Sequence, residues 1–268
     1  MKKYLAAFDL DNTIVDMVDI EEAENIFYSD GKVPQRRYEL LNSYRYDEYG
    51  QFLHDTLNER HLTKSQVLSI WDSYYSQTYS VIKGMDQVLK ALHKDHDIII
   101  ISDSNTFHAT HVLKLFGLDQ YVSAVFSRPL TLKENGQLVP SDLKAAWKAP
   151  CQYGGRNVCK GQVLMDYAGD KYEKILYTGD GTNDFCPSMT LSRNSLVIPR
   201  KVFFLPKIRC LKKSLEDSTQ ALIFTANCSF AKLFISDLGS QVGTHQNCHR
   251  NVQMLLDSGG NELDTSSR

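Results

Sequence analysis

Asp9 and Asp11 stand two residues apart, with Thr13 behind them, just past the apolar run Tyr4-Leu5-Ala6-Ala7-Phe8. Carboxylates this close raise one another's proton affinity unless a cation lies between them or one of them holds a proton. An enzyme can use both escapes. A divalent ion neutralises the pair, one carboxylate becomes a nucleophile and the other an acid and base. An acidic loop after a strand is the plain alternative, and the triplet alone does not decide. Three further pieces carry similar promise: Ser102-Asp103 after an isoleucine run, Lys160-Gly161-Gln162-Val163-Leu164, and Gly179-Asp180-Gly181-Thr182-Asn183-Asp184. Singly they are weak, since a lysine opening a helix is usually a solvated charge and Gly-Asp-Gly is often a turn.

The elements that must position these groups are legible as apolar runs. Residues 3–8, 97–101 and 174–178 read as strands buried on both faces, with shorter candidates at 124–126, 196–198 and 221–224. Helical patterns fall between them, at 85–93, at 107–116 with Gly117 as the stop, and at 160–167. Strands alternating with helices predict an α/β fold built on a doubly wound parallel sheet. Ligands bind such sheets at the carboxyl ends of the strands. Asp9, Asp11, Ser102, Asp103 and Asp180 all fall at strand ends, so one sheet edge would collect them.

Residues 15–82 break the alternation. They are helix-rich, dense in tyrosine and without an evident strand, which predicts a helical cap inserted after the first strand, where a lid over an active site would attach. A helical extension on the sheet's flank is the alternative. The core then comprises 1–14 and 83–238, and the polar stretch 239–268 reads as a loose tail.

Composition narrows the partners. The chain has 268 residues, 42% of them hydrophobic and 23% charged, enough for one sizeable core. A net charge of -2 with no dense Lys/Arg run argues against nucleic acid and anionic membranes as partners. Asp9 and Asp11 cut the first apolar run too short for a secretory signal, and no stretch is long enough to span a membrane, so a cytoplasmic protein is expected. The six cysteines form no Cys-x-x-Cys pair, which disfavours structural zinc and disulfide staples. His108 and His111, like His93 and His96, sit about one helical turn apart but in no metalloprotease motif, and read as helix-surface or core residues. There is no Gly-x-x-x-x-Gly-Lys-Ser/Thr loop, which argues against a nucleotide-binding module.

In this order and at these strand ends, the four pieces resemble the motifs of the haloacid dehalogenase-like phosphatase superfamily, over about residues 3–187. Ile101-Ser102-Asp103-Ser104-Asn105-Thr106-Phe107, Asn157-Val158-Cys159-Lys160-Gly161 and Tyr177 through Pro187 are similar to one branch of it. That branch comprises the phosphoethanolamine/phosphocholine phosphatases and pyridoxal phosphate phosphatases. Pro199-Arg200-Lys201 extends the likeness. The resemblance implies a Rossmann-like core and Mg²⁺ as cofactor. It implies Asp9 as nucleophile forming an aspartyl-phosphate, and Asp11 as general acid/base. Metal ligands would come from the Asp9 carboxylate, the Asp11 backbone carbonyl and the Asp180 carboxylate. Ser102 would donate to a phosphoryl oxygen, Lys160 would balance negative charge, and Asp184 would orient a metal-bound water or Lys160, with Asn183 assisting. A general small-molecule phosphatase or a phosphotransferase of the same superfamily is the alternative enzyme; an inactive binding protein on this fold should lack one of these groups, and none is missing.

The substrate implied is a small phosphorylated metabolite, pyridoxal 5'-phosphate or phosphoethanolamine/phosphocholine. Asp103 beside a phosphate-binding serine makes sense if the substrate's far end is cationic, with cap tyrosines adding cation–π faces. It could instead cap the following helix. In the related enzymes an Asn-Ser-Asp stretch supplies an acidic substrate contact. Here Asp16-Met17-Val18-Asp19-Ile20-Glu21 replaces it, and Asp19 takes that role one position early. Asn12 and Ser104 lean toward the pyridoxal phosphate relatives, and Phe185-Cys186-Pro187 toward the phosphocholine side.

Overall fold

A computed structural model describes residues 2–17, 27–28, 34–43, 46–148, 157–191, 195–199 and 222–223. Asp19, Cys151 and the tail at 239–268 lie outside the described residues. In chain order the strands are β1 (Tyr4–Phe8), β2 (Val15–Met17), β3 (Tyr79–Val81), β4 (His96–Asn105), β5 (Ala124–Arg128), β6 (Leu130–Leu132), β7 (Leu138–Pro140), β8 (Lys174–Gly179), β9 (Ser195–Pro199) and β10 (Leu222–Ile223). The α-helices are α1 (Gln35–Asn42), α2 (Tyr46–Glu59), α3 (Lys64–Thr78), α4 (Met85–Leu92), α5 (Thr106–Leu115), α6 (Lys160–Ala168) and α7 (Phe185–Thr190).

Six strands form one sheet in the order β10-β9-β8-β1-β4-β5, and every pairing in it is parallel. β1 lies at its centre, with Tyr4 aligned to His96 on one side and Lys174 on the other. Strand alternation sends side chains to two cores. Ala6, Phe8, Ile98 and Ile100 face one core, shared with α4 and α5. Leu5, Ala7, Ile99 and Ile101 face the other, shared with Val163 and Leu164 of α6. Each of the larger side chains, the Phe, Leu and Ile, contributes about 1.5–3 kcal/mol when removed from water, and each alanine less. Unbroken apolar runs are what two buried faces require, and the expected doubly wound α/β fold is present. Among the described residues no helix is long and apolar enough to cross a membrane.

Two parts differ from the sequence reading. The stretch 15–82 does contain strand: β2 and β3 stand at its two ends and pair antiparallel, Val15 opposite Val81. The chain therefore leaves β1 and returns to the sheet through one ribbon. The second is the β6–β7 hairpin, Leu130 opposite Pro140, which no apolar run announces. Three-residue strands are too short to show a period of two, so neither pair was readable.

The α2–α3 segment is tied to the core. Its Val67, Trp71, Tyr74 and Tyr75 belong to the same buried cluster as Phe107 and Val112 of α5. The Asn58 amide donates to the Leu138 carbonyl at 3.0 Å and accepts from the Leu138 N–H at 2.9 Å, standing in for a strand partner at the hairpin's edge. Gly136 completes the contact, since a Cβ there would sit 1.9 Å from the Leu62 carbonyl oxygen.

Candidate active site

Because β1, β4 and β8 run parallel, their C-terminal ends open on one edge: Asp9 and Asp11 follow β1, Asp180 follows β8, and Ser102 and Asp103 lie in the last part of β4. Asp9 leaves β1, its N–H held by the Thr178 carbonyl of β8 at 2.9 Å. The chain then turns sharply: Asn12 takes a left-handed φ of 54°, and the Thr13 and Ile14 N–H groups both donate to the Leu10 carbonyl. Asparagine tolerates that conformation better than most side chains. Thr13 itself is fully buried.

Lys160 opens α6 and is completely buried, which a solvated helix-terminal lysine would not be. Its ammonium lies 2.8 Å from Asp9 Oδ2 and 2.7 Å from Asp184 Oδ1. Burial disfavours its charge, but Asp184 and Asp9 more than reverse that, so it stays protonated. Asp184 is fixed from three sides, by Lys160, by the Tyr177 hydroxyl and by the Gly181 N–H at 2.9 Å. Asp9 is buried too. Desolvation first, and then the charge of Asp184, push its carboxyl well above the usual carboxylate range, although Lys160 pulls the other way. One lysine thus faces more than one buried carboxylate, and the cluster lacks positive charge.

Carboxylate oxygens of Asp9, Asp180 and Asp184 lie within 4.8 Å of one another. Hard oxygen donors around a site short of positive charge fit a divalent ion of the Mg²⁺ kind. Two glycines make room for this packing. A Cβ on Gly179 would lie 2.2 Å from the Asp184 carboxyl carbon, and one on Gly181 would lie 2.3 Å from Asn183 Oδ1. Gly179→Ala is therefore expected to displace the Asp184 carboxylate. A shift of about 1 Å in such a group costs about 10²-fold in rate, measurable as kcat with circular dichroism as the folding control.

Ser102 is buried at the end of the apolar part of β4, its hydroxyl 2.8 Å from that of Ser104. Asp103 does not cap α5. That role falls to Asn105, whose side chain accepts from the His108 N–H at 2.8 Å. β4 continues to Asn105, so Asp103 lies too far upstream to reach the helix's first free N–H groups. Its oxygens instead accept from the Val158 N–H at 3.1 Å and from the Asn183 amide at 2.7 Å. It therefore joins the three segments that carry Ser102, Lys160 and Asp184.

Asp11 is held by a residue the sequence reading set aside. His108 is neither a surface nor a plain core histidine: its Nε2 lies 3.1 Å from Asp11 Oδ1. Burial raises the Asp11 carboxyl's proton affinity, but His108, Lys160 and the Ser102 hydroxyl more than offset that, and its pKa falls below the ordinary value. His111, by contrast, pairs with Asp72 of α3, at 2.6 Å. The available signal for His108 was its place in the first turn of the helix after Ser102, on the catalytic edge. Nothing in spacing pointed to Tyr177. Cys159 and Cys186 are both buried, their sulfurs 3.8 Å apart beside Lys160 and Asp184. On the β5 side of the same edge, a cavity of about 340 Å³ opens between Gln51 and His54 of α2 and Asn105 and Asn157.

Comparisons with known proteins agree with this geometry. A family model described as "Putative Phosphatase" matches residues 4–225. The chain is 28% identical to human pyridoxal phosphate phosphatase PHOSPHO2 over 221 residues, covering 76% of this chain and 85% of the relative. It is 28% identical to human phosphoethanolamine/phosphocholine phosphatase over 211 residues, covering 74% of each. In fold it is similar to a HAD family hydrolase of Salmonella enterica serovar Typhi, with a TM-score of 0.54, 15% identity, and coverage of 88% of this chain and 72% of that one. This chain accordingly belongs to the Putative Phosphatase family, has the fold of a HAD family hydrolase, and is a phosphoric monoester hydrolase.

Proposed function

We propose that the protein is a Mg²⁺-dependent phosphomonoesterase that works through an aspartyl-phosphate on a small phosphorylated metabolite, pyridoxal 5'-phosphate or phosphoethanolamine/phosphocholine. The observation that carries this reading is the buried Lys160 bridging Asp9 and Asp184 beside Asp180. An Asp9 carboxylate oxygen attacks phosphorus in line, forming a new P–O bond as the bond to the ester oxygen breaks. A phosphate bound beside Asp11 raises its proton affinity from the lowered value of the free enzyme; in its protonated form Asp11 gives that proton to the departing oxygen, then takes one from a water that attacks the phosphoryl-aspartate, releasing inorganic phosphate and restoring Asp9. Ser102 donates to a phosphoryl oxygen, and Lys160 balances the developing charge. Mg²⁺, held by the Asp9 and Asp180 carboxylates and the Asp11 carbonyl, would supply the remaining positive charge when bound. Asp184 stays behind that shell and fixes Lys160.

The segment 15–82 acts as a cap on a core of 1–14 and 83–238. Its support is that Tyr75 and Tyr79, from the end of α3 and the start of β3, stand close enough to feel the Asp11 charge. Asp103 serves the substrate as a fixed negative charge. Each of its oxygens carries one protein donor and retains a lone pair that an ammonium or protonated ring nitrogen can use. Asp19 is its proposed partner in that role.

A phosphometabolite panel run with Mg²⁺ and again after chelation tests the reading. Turnover of pyridoxal 5'-phosphate, phosphoethanolamine or phosphocholine above that of p-nitrophenyl phosphate, lost on chelation and restored by Mg²⁺, is expected. Rates on all three no better than on p-nitrophenyl phosphate would remove the cationic-substrate assignment. Full activity after chelation would remove the metal.

A further inference from the structure

Asp11 is more exposed than Asp9 and Asp184, its side chain 29% accessible, against 8% for Asp9 and 1% for Asp184. It stands at the entry to the sharp turn through Asn12, and a carboxyl there must be aimed before it can pass a proton. Only an acid within hydrogen-bond reach of the leaving oxygen is effective. Asp9 and Asp184 are aimed by Lys160. Asp11 is held at Oδ1 by His108 Nε2, and the other ring nitrogen, Nδ1, lies 3.1 Å from the Tyr75 hydroxyl. His108 is 9% exposed and Tyr75 only 1%, and their rings meet edge-on with centroids 5.1 Å apart. The Tyr79 ring closes the other side at 5.4 Å. The imidazole is thus boxed in as well as bonded at both nitrogens.

We propose that His108 is a positioning residue for Asp11, and that Tyr75 positions His108, so that α3 sets the aim of the acid/base carboxyl. This inference rests on the function proposed above and deepens it. Every polar atom is satisfied by one arrangement. Tyr75 donates O–H to Nδ1, and Nε2–H donates to Asp11 Oδ1, leaving Oδ2 to carry the proton that is transferred. A tyrosine buried this completely keeps its proton, because desolvation pushes its pKa well up. The logic is that of a carboxylate–imidazole pair in which one member fixes the orientation of the other, with the roles exchanged: here the imidazole orients the carboxyl. Its hydrogen-bond partners come from segments 33 and 97 residues away in the chain. The alignment of Asp11 therefore requires α3, α5 and the end of β1 to be assembled together.

The test compares leaving groups. p-Nitrophenolate departs without a proton, whereas the alkoxides of phosphoethanolamine and pyridoxal 5'-phosphate need one. kcat/KM reports only the steps through leaving-group release, before Asp11 serves as base. His108→Leu is expected to lower kcat/KM roughly 10²-fold on the better of those two alkyl esters, the low end of what general acid catalysis supplies. On p-nitrophenyl phosphate it should fall by less than about threefold. His108→Gln, which keeps an N–H in reach of Oδ1, should recover most of the loss. Tyr75→Phe should reproduce the same substrate dependence at several-fold. Equal losses on both kinds of ester, or no rescue by glutamine, would overturn the proposal and leave His108 a packing residue. If His108→Leu does not fold, Tyr75→Phe and His108→Gln decide the matter by the same ratio. Failure of the wild type to hydrolyse any phosphomonoester would overturn the underlying function instead, a distinct result.

Discussion

Asp9→Asn is expected to abolish turnover, with kcat down roughly 10⁵-fold, as when a covalent nucleophile is removed elsewhere, while the melting temperature stays level or rises. The two halves of that outcome come from the same geometry. Asp9 is buried against Asp184, and those two influences raise its proton affinity despite Lys160. A neutral amide of the same shape relieves that repulsion, and Lys160 keeps its bond to Asp184 at 2.7 Å. The substitution thus costs the chemistry and spares the fold. Rapid acid quenching followed by mass spectrometry should find one added phosphoryl group on the wild-type chain and none on the variant. Activity retained in Asp9→Asn above contaminating levels, with a phosphoenzyme still trapped, would mean that another residue attacks phosphorus.

The sequence made the sheet readable because its strands are buried on both faces and therefore appear as unbroken apolar runs, as at Ile98–Ile101. It also made the four strand-end pieces readable, since a parallel sheet delivers every strand's C-terminal end to one edge. What it left hidden depends on pairings between distant segments. β2 and β3 are too short to show periodicity and exist because 15–17 and 79–81 meet. Asn58 looks like an ordinary helix-end asparagine until the hairpin edge arrives beside it. His108's place in the first turn after Ser102 put it on the catalytic edge, but its partners, Asp11 on one nitrogen and Tyr75 on the other, come from distant segments and leave no local mark. Asp103 presented two alternatives, and the one that failed did so for a local reason: β4 runs further than its apolar stretch, moving the cap position to Asn105. Apolar runs record burial, whereas polar contacts across the fold leave no periodic trace.

Lys160→Met should show how much of the site's stability rests on a single charge. The methionine fills nearly the same volume, so the loss is electrostatic rather than a cavity. Breaking a buried ion pair by removing one partner costs about 3–5 kcal/mol, which for a chain of this size lowers the melting temperature by about 10 °C. kcat should fall about 10³-fold, as when a preorganised charge stabiliser is lost. The pH dependence gives the sign. In the metal-chelated protein, Asp9 binds its proton more tightly folded than unfolded, so its contribution favours folding at low pH and is lost as pH rises through its elevated folded pKa. Lys160 is itself held protonated beyond its ordinary range, so in the wild type its stabilising charge is constant through neutral pH. Removing it pushes the Asp9 proton affinity higher still, and Asp9 then escapes its repulsion with Asp184 by taking up a proton. The gap in melting temperature between variant and wild type should therefore narrow as pH is lowered from about 8 to about 5. A gap that stays constant or widens on acidification would show that the lysine is not neutralising those carboxylates, and the charge arrangement argued for this site would fail with it.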